Sequence, residues 1–229
     1  MKGTALIAAA GLLAYAAWRY AQSMQDTGTD TLDAPAAEPD GLLTDAGQVL
    51  SNAGQSAATF VDSITGGIMK ISNMANVTPA ILNNTNVQAF LRVIRAGEGT
   101  ADEAGYRRIF GGQLFTGFAD HPRIKVTKSG YTSTAAGAYQ FLASTWDETK
   151  RVMRLPDFSP ASQDLGAVGR IAARGALDDV IAGRFDSAIT KVAKEWASMP
   201  GSPYGQPTIT LTKARTLYAS AGGNINQTA

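Results

Sequence analysis

The chain has 229 residues, of which 45% are hydrophobic, and its formal net charge at pH 7 is +1. This length allows one domain with a sizeable core and an extension, and the near-neutral charge gives no reason to expect nucleic acid as a partner. Cysteine is absent and histidine occurs once, at His121. These counts exclude disulfides, a thiolate nucleophile and a structural zinc site, and we expect neither a metal nor a cofactor.

The first predicted element is the uncharged run Gly3–Trp18, which Lys2 precedes and Arg19 follows. Its 16 residues fall just short of the roughly 17–25 that cross a bilayer as a helix. Three interpretations stay open: a signal-anchor, a signal peptide with the cleavage triplet Ala14-Tyr15-Ala16, and a buried Ala-rich helix. Trp18, Arg19 and Tyr20 are typical of an interfacial belt, which favours an uncleaved anchor over residues 1–24.

Two further segments precede the main domain. Residues 25–41 are polar, acidic and proline-containing, which indicates a flexible linker. Residues 42–82 predict a weakly amphipathic helical segment that packs on a partner, a membrane surface or the following domain. Seven acids and no lysine or arginine lie between Tyr20 and Met69, whereas 18 basic and 12 acidic residues follow from Lys70 onward. A basic domain behind an acidic stem favours a polyanionic target such as a cell-wall polymer.

The domain at residues 83–229 is predicted to begin with a helix over Asn86–Gly99. Its apolar side chains Val87, Phe90, Leu91 and Ile94 share one face, and Glu98 continues that row. Burial and the negative end of the helix dipole both favour the protonated form of such a carboxyl, which is what a general acid requires. The alternative is that Glu98 precedes a Gly99 cap and reaches solvent.

The rest of the domain is predicted to be mainly helical with a small β element. The strand candidates are Gly111–Phe118 and Ile124–Lys128. The patterns predict four further helices, at Gly137–Met153, Pro160–Arg174, Ser187–Met199 and Thr208–Ala221. An acid at the end of the first helix, followed by a small β region and helices, is the arrangement of lysozyme-like α+β folds.

Six motifs in one order give the domain a more specific signature. They are GEGT (97–100), GGQLFTGFADHPR (111–123), TAAGAYQFLASTWD (134–147), DFSPASQD (157–164), RGAL (174–177) and WASMPGSPYGQ (196–206). Together they resemble the family of the bacteriophage lambda endolysin, whose members are peptidoglycan-cleaving lytic transglycosylases. The resemblance covers roughly residues 87–223 and leaves the first 80 or so residues outside it.

The resemblance implies roles for individual residues. Glu98 matches the single catalytic acid of the family. The residues implied to line or contact the glycan groove are Gly137, Tyr139, Gln140, Trp196, Tyr204 and Gln206. From its helical spacing alone, Trp196 is at least as well explained by core packing as by sugar stacking. No second carboxylate stands out in the sequence, since Asp102, Glu103 and Asp120 lie in polar stretches typical of loops.

The sequence therefore predicts a lytic transglycosylase that cuts the MurNAc-GlcNAc β-1,4 bond and leaves a 1,6-anhydro product, with peptidoglycan glycan strands as its partner. Membrane or virion components are expected to bind residues 1–80, which places the protein in the virion or at the inner membrane with its catalytic domain in the periplasm. The segment at Leu42–Met74 favours the virion role during genome entry. The alternatives are a membrane-tethered endolysin for host lysis, a hydrolytic muramidase, and a non-enzymatic virion or membrane structural protein with an inactive wall-binding domain.

Overall fold

A computed structural model of the chain describes residues 67–128, 131–205 and 207–226. The predicted anchor, the acidic linker and most of the amphipathic segment lie outside these ranges, as does Gln206. None of the helices within the ranges is long and apolar enough to cross a membrane.

Helices make up most of the described structure. They are α1 (Thr85–Gly97), α2 (Ala143–Met153), α3 (Pro160–Ala173), α4 (Leu177–Ala182), α5 (Phe185–Val192) and α6 (Leu211–Ser220), with 3-10 turns at Pro79–Asn83 and Glu103–Arg107. Residues 67–75 are also helical. A hairpin of β1 (Val126–Lys128) and β2 (Tyr131–Ser133) pairs antiparallel, with Thr127 opposite Thr132. The predicted combination of helices with a small β element is therefore present.

The helix α1 lies at the centre of the domain. It begins at the Asn84 cap, whose side chain accepts a hydrogen bond from Val87 N. Its predicted apolar row is buried, with Phe90 and Ile94 fully inaccessible to solvent, and it packs against α3, α4 and α6. Edge-to-face contacts of Phe90 with Phe185 and Tyr218 join three helices in one core.

The residues before α1 contact the same core. Met74 is completely buried, and Val77, Ile81 and Leu82 pack against the core from one side. Lys70 forms an ion pair with Glu148 of α2 at 3.1 Å. The helical residues 67–75 are therefore docked on the domain, and the predicted boundary near residue 83 divides residues that touch each other.

Three element predictions require correction. Gly111–Phe118 is not a strand but a loop with one bridge between Leu114 and Arg108, because Gly111 and Gly117 have φ values of +89° and +76° that interrupt extended backbone. The helix predicted from Gly137 begins only at Ala143. The helix predicted over Ser187–Met199 ends at Val192, and the residues after it form a turn-rich loop.

Candidate active site

Glu98 lies directly after α1, at its C-cap, and only 1% of its surface is exposed. Its N–H donates to Ile94 O at 2.9 Å, so the last helical turn sets the direction of the side chain. Gly99 follows with φ +69°, a conformation that favours glycine, and Thr100 N then returns to Arg95 O at 2.8 Å. The expected inward placement of Glu98 is confirmed and the solvated alternative is wrong.

Ser198 provides a hydrogen-bond donor to this buried carboxyl. Its Oγ donates to Glu98 Oε1 at 2.6 Å, although the two residues are 100 positions apart in the sequence. Ser198 is itself 6% exposed. An O–H···O bond of this length lies at the short end of the range seen in proteins.

Gly97 permits the close approach of Ser198. A β-carbon at position 97 would lie 2.3 Å from Met199 Cε and 2.8 Å from Ser198 Oγ. Any side chain there would displace the residues that carry the serine. The sequence motif that includes Gly97, Glu98 and Gly99 thus combines a close-contact glycine, the acid and a left-handed helix end.

The strap, defined as residues 195–199, is anchored at its first residue by ion pairs. Glu195 accepts from Arg170 Nε at 2.6 Å and from Arg174 Nε at 2.7 Å. Burial alone would raise the pKa of Glu195, but the two guanidinium groups outweigh it and lower the pKa to about 2. The carboxylate of Glu195 is therefore ionised at neutral pH and anchors the strap to α3.

The segment Gly137–Gln140 forms a tight turn beside Glu98's loop. Ala138 O accepts a hydrogen bond from Thr100 Oγ1 at 2.5 Å, and Ala138 N donates to Gln163 Oε1 at 2.8 Å. Gly137 has φ +79°, and a β-carbon on it would lie 2.2 Å from Gln163 Oε1. The turn is thus joined both to the acid's loop and to α3.

Two of the three aromatic rings expected at the groove are buried. Tyr139 is 2% exposed and donates its hydroxyl to Asp164 Oδ1 at 2.6 Å. Trp196 is 3% exposed and donates Nε1–H to Tyr139 O at 3.2 Å. The Trp196 ring thus joins the strap to the turn at 137–140, and the Tyr139 hydroxyl joins that turn to α3. Neither ring presents an open stacking face. Their direct contact with substrate stays a prediction.

The remaining predicted substrate residues differ in their surroundings. Gln140 is buried with φ +49°, and its Nε2 donates to Gly137 O and Arg108 O. Tyr204 is half-buried and donates its hydroxyl to Lys194 O at 3.0 Å, which ties the loop after the strap to the residue before it. Substrate binding by both residues stays a prediction.

A hydrogen-bond network around the partly buried carboxylate of Asp164 includes the Tyr139 hydroxyl. Asp164 accepts from the hydroxyls of Tyr139 and Tyr106, and Arg95 stacks over the Tyr106 ring at 4.3 Å. Burial raises the pKa of Asp164, and the two tyrosine hydrogen bonds counteract part of that increase. An open cleft of about 560 Å³ is lined by Arg92, Arg95, Tyr106, Tyr139 and Asp164, but not by Glu98.

The three acids closest to Glu98 in the following sequence are Asp102, Glu103 and Asp120. Arg108 donates to Asp102 at 2.8 Å, and this hydrogen bond lowers the pKa of the exposed aspartate. Asp120 forms ion pairs with Lys150 at 2.9 Å and Arg123 at 3.0 Å. Burial would raise the pKa of Asp120, yet these two cations lower it overall. Each aspartate is thus ionised and paired with at least one cation.

Sequence reasoning did not identify Ser198, Gly97 or Glu195 as functional residues. Ser198 lay within the quoted WASMPGSPYGQ motif, but a serine there carries no periodic or spacing signal for contact with a glutamate 100 residues away. Glu195 lay just before that motif, within a predicted helix that the structure ends at Val192.

Comparison with known proteins identifies relatives of this domain. The family model for endolysins matches residues 88–225. The endolysin of Escherichia phage P2 is 41% identical over 161 residues, which cover 63% of this chain and 98% of that protein. The endolysin of Escherichia phage lambda is 38% identical over 151 residues, with coverage of 63% and 96%.

Solved structures give the same result for the fold. A bacteriophage lambda lysozyme complexed with a chitohexasaccharide matches with a TM-score of 0.59 at 38% identity, over 62% of this chain and 97% of that chain. A second structure of the lambda lysozyme matches with a TM-score of 0.56 at the same identity, over 62% and 97% of the two chains. The predicted lysozyme-like, mainly helical fold is confirmed.

Proposed function

The chain belongs to the endolysin family, and we propose that it is a lytic transglycosylase that uses Glu98 as its single catalytic acid. As a member of this family it is an enzyme that cleaves peptidoglycan. The proposed bond is the β-1,4 linkage between MurNAc and GlcNAc. The observation that carries the proposal is a buried carboxyl at the end of α1 that receives a hydroxyl hydrogen bond from Ser198.

One carboxyl is sufficient for this reaction. Protonated Glu98 donates its proton to the glycosidic oxygen, and the bond from that oxygen to the anomeric carbon of MurNAc breaks. The resulting carboxylate accepts the proton of the MurNAc 6-hydroxyl, whose oxygen bonds to the same anomeric carbon. Glu98 is reprotonated, no water is consumed, and the products are a 1,6-anhydro end and a free GlcNAc hydroxyl. An internal nucleophile also has the entropic advantage of intramolecular reaction.

One feature supports the transglycosylase over a hydrolytic muramidase. Hydrolysis generally requires a second carboxylate as nucleophile or base, and Asp102 and Asp120 are both engaged in ion pairs. The burial of Glu98 suits a general acid in either reaction and does not distinguish the two.

The glycan strand is the proposed ligand of the residues around Glu98. The structure of the lambda lysozyme with a chitohexasaccharide supports a β-1,4-linked amino-sugar chain as the substrate class. The turn at Gly137–Gln140 and the loop with Tyr204 are the proposed contacts. A non-enzymatic wall-binding role is disfavoured, because a decayed site has no need for a buried acid with a buried donor.

Residues 1–80 are proposed to locate the enzyme, and the helical residues 67–75 at the end of this range also dock on the domain. The endolysin model begins at residue 88, so the uncharged run at Gly3–Trp18 and the acidic segment after it precede the matched region. We favour a virion-associated role in genome entry, since a simple anchor does not need the long segment at Leu42–Met74. Membrane tethering for host lysis is the second candidate, and the run at Gly3–Trp18 with its aromatic flank supports it.

The substitution Glu98→Gln tests the proposal. It keeps the size of the side chain and its ability to accept from Ser198 but removes the acidic proton. Purified Glu98→Gln protein is expected to unfold at a temperature close to that of the parent and to lose clearing of a peptidoglycan suspension. A folded Glu98→Gln protein with near-parental clearing contradicts the assignment of the acid.

A further inference from the structure

We infer that Ser198 is the positioning residue of Glu98: its hydroxyl determines which carboxyl oxygen carries the proton that is transferred to the glycosidic bond. This inference rests on the proposed role of Glu98 as proton donor. It assigns a role to the strap that is independent of any contact between the strap and the sugar.

The geometry of the hydrogen bond gives the direction of the effect. Ser198 Oγ donates to Glu98 Oε1 at 2.6 Å, so Oε1 acts as an acceptor while that bond exists. The acidic proton of Glu98 is then carried by Oε2, and a single oxygen is prepared to donate. After the transfer, the same O–H stabilises the carboxylate that has formed. Ser198 thus assists both halves of the proposed cycle without touching the sugar.

Three sets of contacts hold the strap, and with it Ser198, in this position. The Glu195 ion pairs with Arg170 and Arg174 fix its beginning. The backbone carbonyl of Ser198 accepts from Ile209 N at 3.0 Å. The Met199 side chain, which is fully buried, closes the other end. The hydroxyl is therefore preorganised and needs no rearrangement when the reaction begins.

The chain contains a matched serine–carboxylate pair outside the site. Ser187 Oγ donates to Asp179 Oδ2 at 2.7 Å, which is nearly the length of the Ser198–Glu98 bond. Removal of the Ser187 hydroxyl deletes a serine–carboxylate hydrogen bond of nearly the same length but changes no group of the proposed reaction. Ser187→Ala is accordingly the control for Ser198→Ala.

The experiment compares four proteins on soluble, uncrosslinked glycan strands: the parent, Ser198→Ala, Ser198→Cys and Ser187→Ala. Cysteine is close to serine in size but is a weak hydrogen-bond donor. We expect kcat to fall about 10- to 100-fold in both variants of Ser198, as for loss of a hydrogen bond to a charged group. KM is expected to stay within about twofold, and Ser187→Ala is expected to keep the parental kcat.

Each outcome distinguishes the inference from the proposed function. If Glu98→Gln is inactive while Ser198→Ala and Ser198→Cys retain parental kcat, the positioning role is wrong and the acid assignment stands. If the variants of Ser198 raise KM and leave kcat unchanged, the serine binds substrate and does not position Glu98. If Ser187→Ala lowers kcat as much as Ser198→Ala, the effect is one of stability, and the inference is also wrong. If Glu98→Gln itself is active, the proposed function is wrong, and the inference that rests on it is wrong as well.

Discussion

Arg170 and Glu195 form a buried ion pair, with Arg170 Nε 2.6 Å from Glu195 Oε1 and about 5% and 7% of the two side chains exposed. Arg170 also bonds Glu148 at 2.6 Å, and Arg174 occupies the second oxygen of Glu195. The pair connects α3 to the first residue of the strap. The course of the strap therefore depends on the ion pairs of Glu195.

Glu195→Gln is expected to lower both stability and activity. The substitution removes the charge that pairs with buried Arg170 and with partly exposed Arg174, and loss of one partner of a buried pair costs about 3–5 kcal/mol. The remaining ion pair of Arg170 with Glu148 places the expected loss toward the lower end of that range. Urea unfolding followed by circular dichroism measures the change in the free energy of unfolding. The control is Asp186→Asn, which breaks the exposed Arg215–Asp186 pair and is expected to cost nothing measurable. If the two variants lose equal free energy of unfolding, the role of Glu195 as the anchor of the strap is contradicted.

Gly97→Ala is expected to reduce activity more than stability. The added methyl group meets Ser198 Oγ and Met199 Cε, and overpacking of this kind costs about 1–3 kcal/mol. The flexible end of Met199 is able to move, but the serine is then displaced from Glu98. Glycan cleavage and thermal unfolding are measured together with Gly67→Ala, where a β-carbon meets nothing within 4 Å. Parental activity in a folded Gly97→Ala protein argues against the close-approach role.

The stability of the domain is expected to fall as the pH decreases from about 6.5 to about 4, because His121 is buried. Burial lowers the pKa of His121 to about 4, and the hydrogen bond to Phe141 O counteracts only part of this effect. The unfolded state therefore binds the proton first, and the loss amounts to about 3 kcal/mol over this window. Arg123 N donates to His121 Nδ1, so protonation of that nitrogen also breaks a turn hydrogen bond.

The comparison with His121→Asn isolates this effect. Chemical unfolding at several pH values between 7 and 5 is sufficient, since carboxyl groups with lowered pKa contribute mainly below that range. The parent is expected to lose stability across this interval faster than the variant. If the free energy of unfolding changes with pH equally in the two proteins, His121 is not the titrating group.

A truncated protein that begins at Asn83 is expected to fold and to cleave purified peptidoglycan, since the endolysin match begins at residue 88. It is also expected to be less stable than a protein that begins at Gly67. Met74 is fully buried and Lys70 pairs with Glu148, and loss of one buried methionine costs about 2 kcal/mol. Thermal unfolding of the two proteins measures the difference.

The location of the full chain is tested in the same series. The full chain is expected to sediment with membranes or phage particles, whereas both truncated proteins are expected to stay in solution. A full chain that stays wholly in solution, together with an inactive protein starting at Asn83, contradicts the assignment of residues 1–80 as a locating segment.

Periodicity predicted the part of the site that local sequence controls. The spacing of Val87, Phe90, Leu91 and Ile94 predicted α1, and it placed Glu98 on the buried face before any tertiary contact was known. The cap of α3 was equally local, since Ser159 and Pro160 define its first turn. Signals of this kind depend on residues within one or two helical turns of each other.

The parts that failed depend on glycine conformation and on long-range contact. Phe115 and Phe118 suggested a strand, yet the neighbouring glycines with positive φ form a loop whose aromatic rings pack against each other. The strap fell within a predicted helix because Trp196 continues the apolar spacing of Ile189, Val192 and Ala193. Its true course is set by ion pairs to α3 and by the contact with Glu98, which no local pattern encodes.

The central claim is that Glu98 alone cleaves the glycan strand without water, and product analysis in ¹⁸O-labelled water tests it most directly. Peptidoglycan is digested by the parent and by Glu98→Gln, and the muropeptides are analysed by mass spectrometry. We predict 1,6-anhydromuramic ends that contain no ¹⁸O in the parent digest, and no new ends in the Glu98→Gln digest. Reducing muramic acid ends that carry ¹⁸O at the anomeric carbon would contradict the account and would assign the enzyme as a hydrolase.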